Sequence, residues 1–214
     1  MYFVRDAVSC LAYSGNTLVS GSWDGSVKLW MCCSSVNYSL SLTDMLCELD
    51  HSAAVTSVDM KHDSLASGTR EGEILVWSIM DGNCGSLTHR LPSHRRQVNC
   101  VKLSPCGHKI LSGGSDMSIK VFDLKTGTVV FSKNVGEEVT SLVWDGVMVI
   151  MGGGQGDIIV WDLAPDTRDH QLTRVRGHNG RVTSLAVQHI AEHGVVVVSG
   201  GDDRRVIVWS PEEK

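Results

Sequence analysis

The 214-residue chain has no long apolar run; the longest stretches, such as Val147–Met151, fall far short of the ~20 residues a membrane-spanning helix needs. Its first residues, MYFVRDAV, lack a basic stretch leading into an apolar one, so no export signal is expected. Positive charge is not in excess either. A net charge of −5 and a pI near 6.0 remove the broad attraction that non-specific nucleic-acid binding requires, and nucleic acid is disfavoured as a partner. The seven cysteines (Cys10, Cys32, Cys33, Cys47, Cys84, Cys100 and Cys106) are odd in number and form no C-x-x-C pair. They read as reduced thiols of a cytoplasmic protein, in which the Asn37-Tyr38-Ser39 sequon has no role. A G-x-S-x-G string is also missing, and no cysteine carries a local nucleophile signature. What remains, 42% apolar residues and a mean hydropathy of +0.01, describes an ordinary water-soluble globular chain.

What the sequence does hold is repetition. Five eleven-residue windows are variants of one pattern: SGSWDGSVKLW (Ser20–Trp30), SGTREGEILVW (Ser67–Trp77), SGGSDMSIKVF (Ser112–Phe122), MGGGQGDIIVW (Met151–Trp161) and SGGDDRRVIVW (Ser199–Trp209). Their closing aromatics are spaced by 47, 45, 39 and 48 residues, close to the ~40–45 of one propeller blade. Ahead of each window stands a second shared string: VSCLAY from Val8, VTSVDM from Val55, VNCVKL from Val98, VTSLVW from Val139 and VTSLAV from Val182. The first and fourth residues of each are apolar and fall on opposite faces of a strand, which predicts an inner strand buried on both sides between neighbouring blades. Within the windows, glycine at the second position, a polar turn and a β-branched run read as strand, tight turn, strand.

A fourth strand is predicted near Leu46–Leu49, Ser86–Leu91, Val129–Ser132 and Leu172–Val175, and none after Trp209, where Pro211 and charged residues follow. The expected fold is all-β, a β-propeller region over 1–214 with five four-stranded blades at about 7–49, 54–91, 97–132, 138–175 and 181–210.

These windows resemble the WD-repeat family over nearly the whole chain. The resemblance implies a buried tetrad of His, Ser/Thr, Asp and Trp in each blade, and the last repeat carries all four as His178, Ser199, Asp203 and Trp209. Elsewhere members are lost: Glu71 replaces Asp beside His51, Phe122 replaces Trp beside His94, Ser112 and Asp116, Val135 and Gln155 replace His and Asp, and Val4 replaces the first His. The first and fourth blades are therefore expected to rely mainly on packing. The family typically closes with seven blades, which at this period need about 300 residues, so the five are expected to be part of a seven-bladed ring in a longer product. The order of the strings, with VWDG (Val143–Gly146) in an inner strand, is similar to the C-terminal propellers of BEACH-domain factors. That resemblance implies an adaptor in receptor-linked signal transduction or membrane-associated trafficking, contacting a receptor cytoplasmic tail and reaching membranes peripherally.

Catalytic-looking strings dissolve under their structural requirements. His189-Ile190-Ala191-Glu192-His193 matches the H-x-x-E-H of zinc peptidases, but that motif needs a helix and this one lies between two predicted strands, so a solvated hairpin loop is expected. Gly152–Gly156 lacks the Lys-Ser/Thr and the helix of a phosphate cradle and falls in the register of the repeat turns. No catalytic residue, metal or cofactor is assigned.

The resemblance to WD-repeat propellers implies that the loops before the inner strands and the turns inside the windows open on one common face, and partners are sought there. That face carries Trp23, Arg70, His94-Arg95-Arg96, Glu137-Glu138, Arg176, Arg181 and Asp202-Asp203-Arg204-Arg205. Trp and Arg dominate interface energies, so Trp23, Arg70, Arg95, Arg96 and Asp202 are the predicted partner-binding residues, suited to an acidic or aromatic-containing peptide. The alternative is a phosphoinositide-binding surface; SHRRQ (Ser93–Gln97) lacks the Phe and Gly of the FRRG string that such propellers carry. The Ser-rich insert Met31–Asp44 is expected to be a loop on the opposite face.

Overall fold

The computed structural model describes residues 4–34, 40–79, 85–144, 146, 148–162, 172–190 and 194–209. They form nineteen strands in five antiparallel sheets and contain no helix. The first sheet is β1 (Val8–Ser14), β2 (Thr17–Ser22), β3 (Ser26–Ser34) and β4 (Leu40–Asp50). The second is β5 (Val55–Lys61), β6 (Ser64–Thr69), β7 (Glu73–Ser78) and β8 (Ser86–Pro92), and the third β9 (Val98–Leu103), β10 (Lys109–Gly114), β11 (Ser118–Asp123) and β12 (Thr128–Asn134). The fourth is β13 (Val139–Trp144), β14 (Met148–Gly153), β15 (Asp157–Asp162) and β16 (Leu172–Arg176), and the fifth, among the described residues, has three strands, β17 (Val182–Ile190), β18 (Gly194–Gly201) and β19 (Val206–Trp209).

Each window folds as it does because its sixth residue is left-handed. Gly25, Gly72 and Gly156 have φ of 86°, 91° and 98°, and Met117 and Arg204 take the same place at 63° and 65°. That conformation closes the tight turn between the second and third strands and favours glycine there.

Neighbouring sheets pack face to face in chain order, with β1, β5, β9, β13 and β17 side by side. Four apolar clusters fill the four junctions, built around Val19, Leu29 and Val58; Val76, Val98 and Phe122; Leu111, Leu142 and Trp161; and Ile150, Ile158 and Val182. The window glycines let the sheets approach: a Cβ on Gly21, Gly68, Gly113 or Gly152 would overlap the Cγ1 of Val55, Val98, Val139 or Val182 on the next inner strand. Polar side chains stitch the same junctions. The Ser9 hydroxyl donates to the carbonyl of Val55 at 2.6 Å, Asn99 Nδ2 donates to that of Val139 at 2.8 Å, and Thr56 and Thr140 donate to those of Val98 and Val182.

Three sequence expectations change. Burial of the inner strand on both sides fails at β1, where Val8, Leu11 and Tyr13 are at least half exposed because no sheet among the described residues covers that face. The described parts of the Met31–Asp44 insert are strand rather than loop, since β3 and β4 extend their ladder through Cys32↔Leu42 and Ser34↔Leu40. His189 stands in extended β17 opposite Val195, not in a loop, and the alternating strand geometry denies it the helical face of a zinc peptidase. Glu192 and His193, Asn37 of the sequon, and Asp145 of VWDG lie outside the described residues. No helix among the described residues is long and apolar enough to cross a membrane.

Candidate interaction face

One backbone hydrogen bond per blade fixes the residue at the fourth window position. The N–H groups of Trp23, Arg70, Ser115, Gly154 and Asp202 donate to the carbonyls of Ala7, Ala54, Gln97, Glu138 and Arg181, at 2.8–3.0 Å. These five positions are thus structurally equivalent, each beside the residue that leads into an inner strand. Trp23 is 56% exposed, and Arg70 and Asp202 are exposed. Arg95 and Arg96 are exposed in the loop leading to β9, and that loop is held against Arg70's turn by Ser93 and His94 N–H groups donating to the Gly72 carbonyl. Trp23's turn meets the next loop likewise, through His51 N–H and the Gly25 carbonyl at 2.8 Å. Trp23, Arg70, Arg95 and Arg96 therefore follow one another across three adjacent blades. Asp202 belongs to the same series of positions but stands on the fifth sheet.

Buried polar groups hold these turns rigid. In the fifth sheet His178 Nδ1 lies 2.9 Å from Asp203 Oδ1 and its Nε2 lies 2.8 Å from Ser199 Oγ, to which Trp209 Nε1–H donates at 2.9 Å. A second Asp203 oxygen accepts the Asn179 N–H. In the third, His94 reaches Asp116 at 2.9 Å and Ser112 at 2.7 Å, while Phe122 fills the aromatic position as a purely apolar, buried side chain. Asp116 also accepts the Arg95 N–H at 3.0 Å, so the network directly orients the arginine loop. Burial works against the Asp116 carboxylate, yet the Ser118 hydroxyl, the Arg95 N–H and the His94 ring outweigh it and hold its pKa at about 2. Burial lowers the pKa of His94 and of His51. In the second sheet His51 bonds Ser67 at 2.6 Å and the Leu49 carbonyl instead of an acid, and Glu71 stays in solvent.

The first and fourth blades do not rest on packing alone. In the first, Asp24 accepts N–H groups from Arg5 and Ser26 at 2.8 Å each, and Trp30 donates to Ser20 at 2.9 Å. In the fourth, Glu137 is buried and accepts the Gln155 N–H at 2.8 Å, and Arg174 bridges it to Asp157 at 3.2 and 3.1 Å. Glu137 thus replaces the missing histidine, a substitution hinted at only by the acid Asp157 one place after the turn. Burial, with Asp157 beside it, raises the Glu137 pKa. It is accordingly no part of the exposed face. Glu138 is also committed, to a bidentate Arg181 pair at 3.1 and 3.2 Å and to Asn99 and Ser115. Among the described residues, Arg70, Arg95 and Arg96 make no ion pair.

The WD domain, G-beta repeat model matches residues 4–31, 85–123 and 169–210, about half of the chain. The chain belongs to the WD-repeat family. It is 29% identical over 159 residues to WD repeat-containing protein 25 of Mus musculus, covering 70% of this chain and 28% of that protein. It is 26% identical to the guanine nucleotide-binding protein subunit beta of Zea mays, covering 75% and 44%. The WD chain therefore spans less than half the length of these relatives. Among solved structures, it superposes on the computationally designed Ika8 protein with a TM-score of 0.69 at 25% identity, covering 97% of this chain and 72% of that one. WD repeats generally serve protein interaction, and the family is generally non-enzymatic.

Proposed function

We propose that this WD chain is a non-catalytic interaction scaffold whose docking face is formed by Trp23, Arg70, Arg95 and Arg96, with Asp202 as its acidic flank. The observation that carries the reading is the contrast among the arginines. Arg174 and Arg181 are spent on carboxylates, whereas Arg70, Arg95 and Arg96, like Arg176, Arg204 and Arg205, are exposed with no ion pair among the described residues, and the first three follow on across the blades from an exposed tryptophan. Free guanidinium groups offer forked donors to carboxylates, and the indole offers apolar area, so the fitting partner is an acidic peptide carrying an aromatic residue. The tetrads support this by fixing turn geometry before binding, which limits the ordering cost.

The blades proposed at about 7–49, 54–91, 97–132, 138–175 and 181–210 act as one platform in this reading. By its likeness to the BEACH-domain factor associated with neutral sphingomyelinase activation, the partner is a receptor cytoplasmic tail in cytoplasmic signalling. Charge reversal at Arg70, Arg95 and Arg96 tests the face: affinity for an acidic, tyrosine-containing peptide is expected to fall at least about tenfold, as loss of ~1.4 kcal/mol requires. Unchanged affinity would refute it. Flotation with anionic vesicles, lost on the same reversal while peptide binding is absent, would instead favour the membrane reading.

A further inference from the structure

We infer that a cavity between the third and fourth sheets is a binding site for a small aromatic carboxylate, its ring held against Phe131 and Trp161 and its carboxylate on the Lys109 ammonium. The cavity has a volume of about 400 Å³ and lies at the end of the sheets that carries Gly146 of the β13–β14 turn, away from the turns of Trp23 and Arg70. It is therefore independent of the docking face.

Three departures from the repeat make it. On the inner strands, Trp144 opposite Val149 takes the place of Met60 opposite Leu65 and of Leu103 opposite Ile110. Met60 and Leu103 are buried in apolar clusters, whereas Trp144 is half-buried along the cavity, and its Nε1–H, shielded from water, meets no acceptor among the described residues. A buried donor left unpaired is satisfied by an occupant that accepts from it. On the outer strands, Phe131 faces Val121 where His89 faces Val76 in the second sheet. Phe131 stacks on Trp161 with ring centroids 4.5 Å apart, so one wall is aromatic, and the fully buried Leu111 and Val149 add an aliphatic floor. β12 bulges here, since Val121 pairs with Phe131 and Phe122 with Val129; Val130 is left out of the ladder, 54% exposed at the mouth.

On the second strands, Lys109 opposite Asp123 takes the place of Ser64 opposite Ser78. Asp123 commits its carboxylate to the N–H groups of Lys125 and Thr126 at 2.8 and 3.1 Å, and Lys109 is exposed at the rim with no ion pair among the described residues. The corresponding space between the second and third sheets is smaller, about 220 Å³, and has Ser64, Thr88 and His89 at the positions of Lys109, Val130 and Phe131. Apolar walls with a few polar groups are the make-up of a small-molecule site, in which the walls hold the ligand and the polar groups orient it. A planar ring covers the aromatic wall, a carboxylate pairs with the ammonium, and a ligand oxygen accepts from the Trp144 N–H. A cationic ligand is repelled by Lys109, and one without a ring leaves the aromatic wall uncovered.

The probe is cinnamate, with cinnamamide as its neutral match, each titrated into the chain and followed by NMR. Cinnamate is expected to bind saturably with a Kd of about 1 mM or tighter and to move the Trp144 indole N–H resonance. Lys109→Met, which keeps the side-chain stem, should weaken cinnamate at least about tenfold and leave cinnamamide unchanged, and Val130→Trp should close the mouth to both. Both residues are exposed, and a Tm equal to the parent's checks that the variants fold. No saturation by cinnamate up to about 10 mM, or an affinity unmoved by both variants, would overturn the inference. Loss of cinnamate binding on charge reversal of Arg70, Arg95 and Arg96, with no effect of Lys109→Met, would place the acid on the docking face and overturn it too. A Phe-Asp peptide that binds through Lys109 and Val130 while cinnamate does not bind would make the occupant a protein segment, again against the inference.

Discussion

Ser199 Oγ is shared by His178 and Trp209, so one small hydroxyl serves a buried ring and a half-buried one. Ser199→Ala leaves His178 Nε2 and the Trp209 Nε1–H without that partner and is expected to cost about 1–3 kcal/mol, read as a Tm loss of several degrees. The buried histidines set the response to acid. His51 and His94 have folded pKa values below the ordinary value, so the stability they contribute is full above pH 6.5 and is lost as pH falls through their folded pKa. Tm should therefore drop on acidification below about pH 6.5, and His51→Asn should flatten part of that slope; an unchanged slope would contradict it. Thiol chemistry divides equally sharply. Burial pushes Cys100 up to about 12, while Cys106 is exposed and lowered, first by its bond to the Ser104 hydroxyl. Of these two, maleimide should label Cys106 in the native protein and Cys100 only after unfolding.

At the scale of the element, the alternation of the inner strands and the window glycines were readable because their cause is local or repeated. Glycine at the second position of the first four windows marks a sheet-to-sheet contact, and the valine that starts the following inner strand is what meets it. The β3–β4 hairpin was not readable, since its Ser-rich composition hides strand pairing that depends on register. Nor was the carboxylate network of the fourth blade. Glu137 and Glu138 look alike in sequence, yet one points into the turn of Gln155 and the other across to Arg181. Glu137 has a raised folded pKa, so its contribution is full below the unfolded value and is lost as pH rises through the folded one. Glu137→Gln should remove that loss and leave Tm at neutral pH equal to or above the parent's; a marked fall would show that the Arg174 pair outweighs the burial cost.

For the whole molecule, five sheets in sequence make a rigid array in which the same backbone bond presents one residue per blade on a common face. Sequence position was enough to place Trp23, Arg70 and Asp202 in that series. It could not tell which charges are free, because pairing such as Glu138 with Arg181 crosses between blades 43 residues apart. The central claim is that the free arginines and Trp23 form a peptide-docking face. Hydrogen-exchange footprinting of the chain with a bound acidic, tyrosine-containing peptide tests it most directly. Protection is expected in the turns around Trp23 and Arg70 and in the loop of Arg95 and Arg96; protection confined to other turns, or none at saturating peptide, would contradict it.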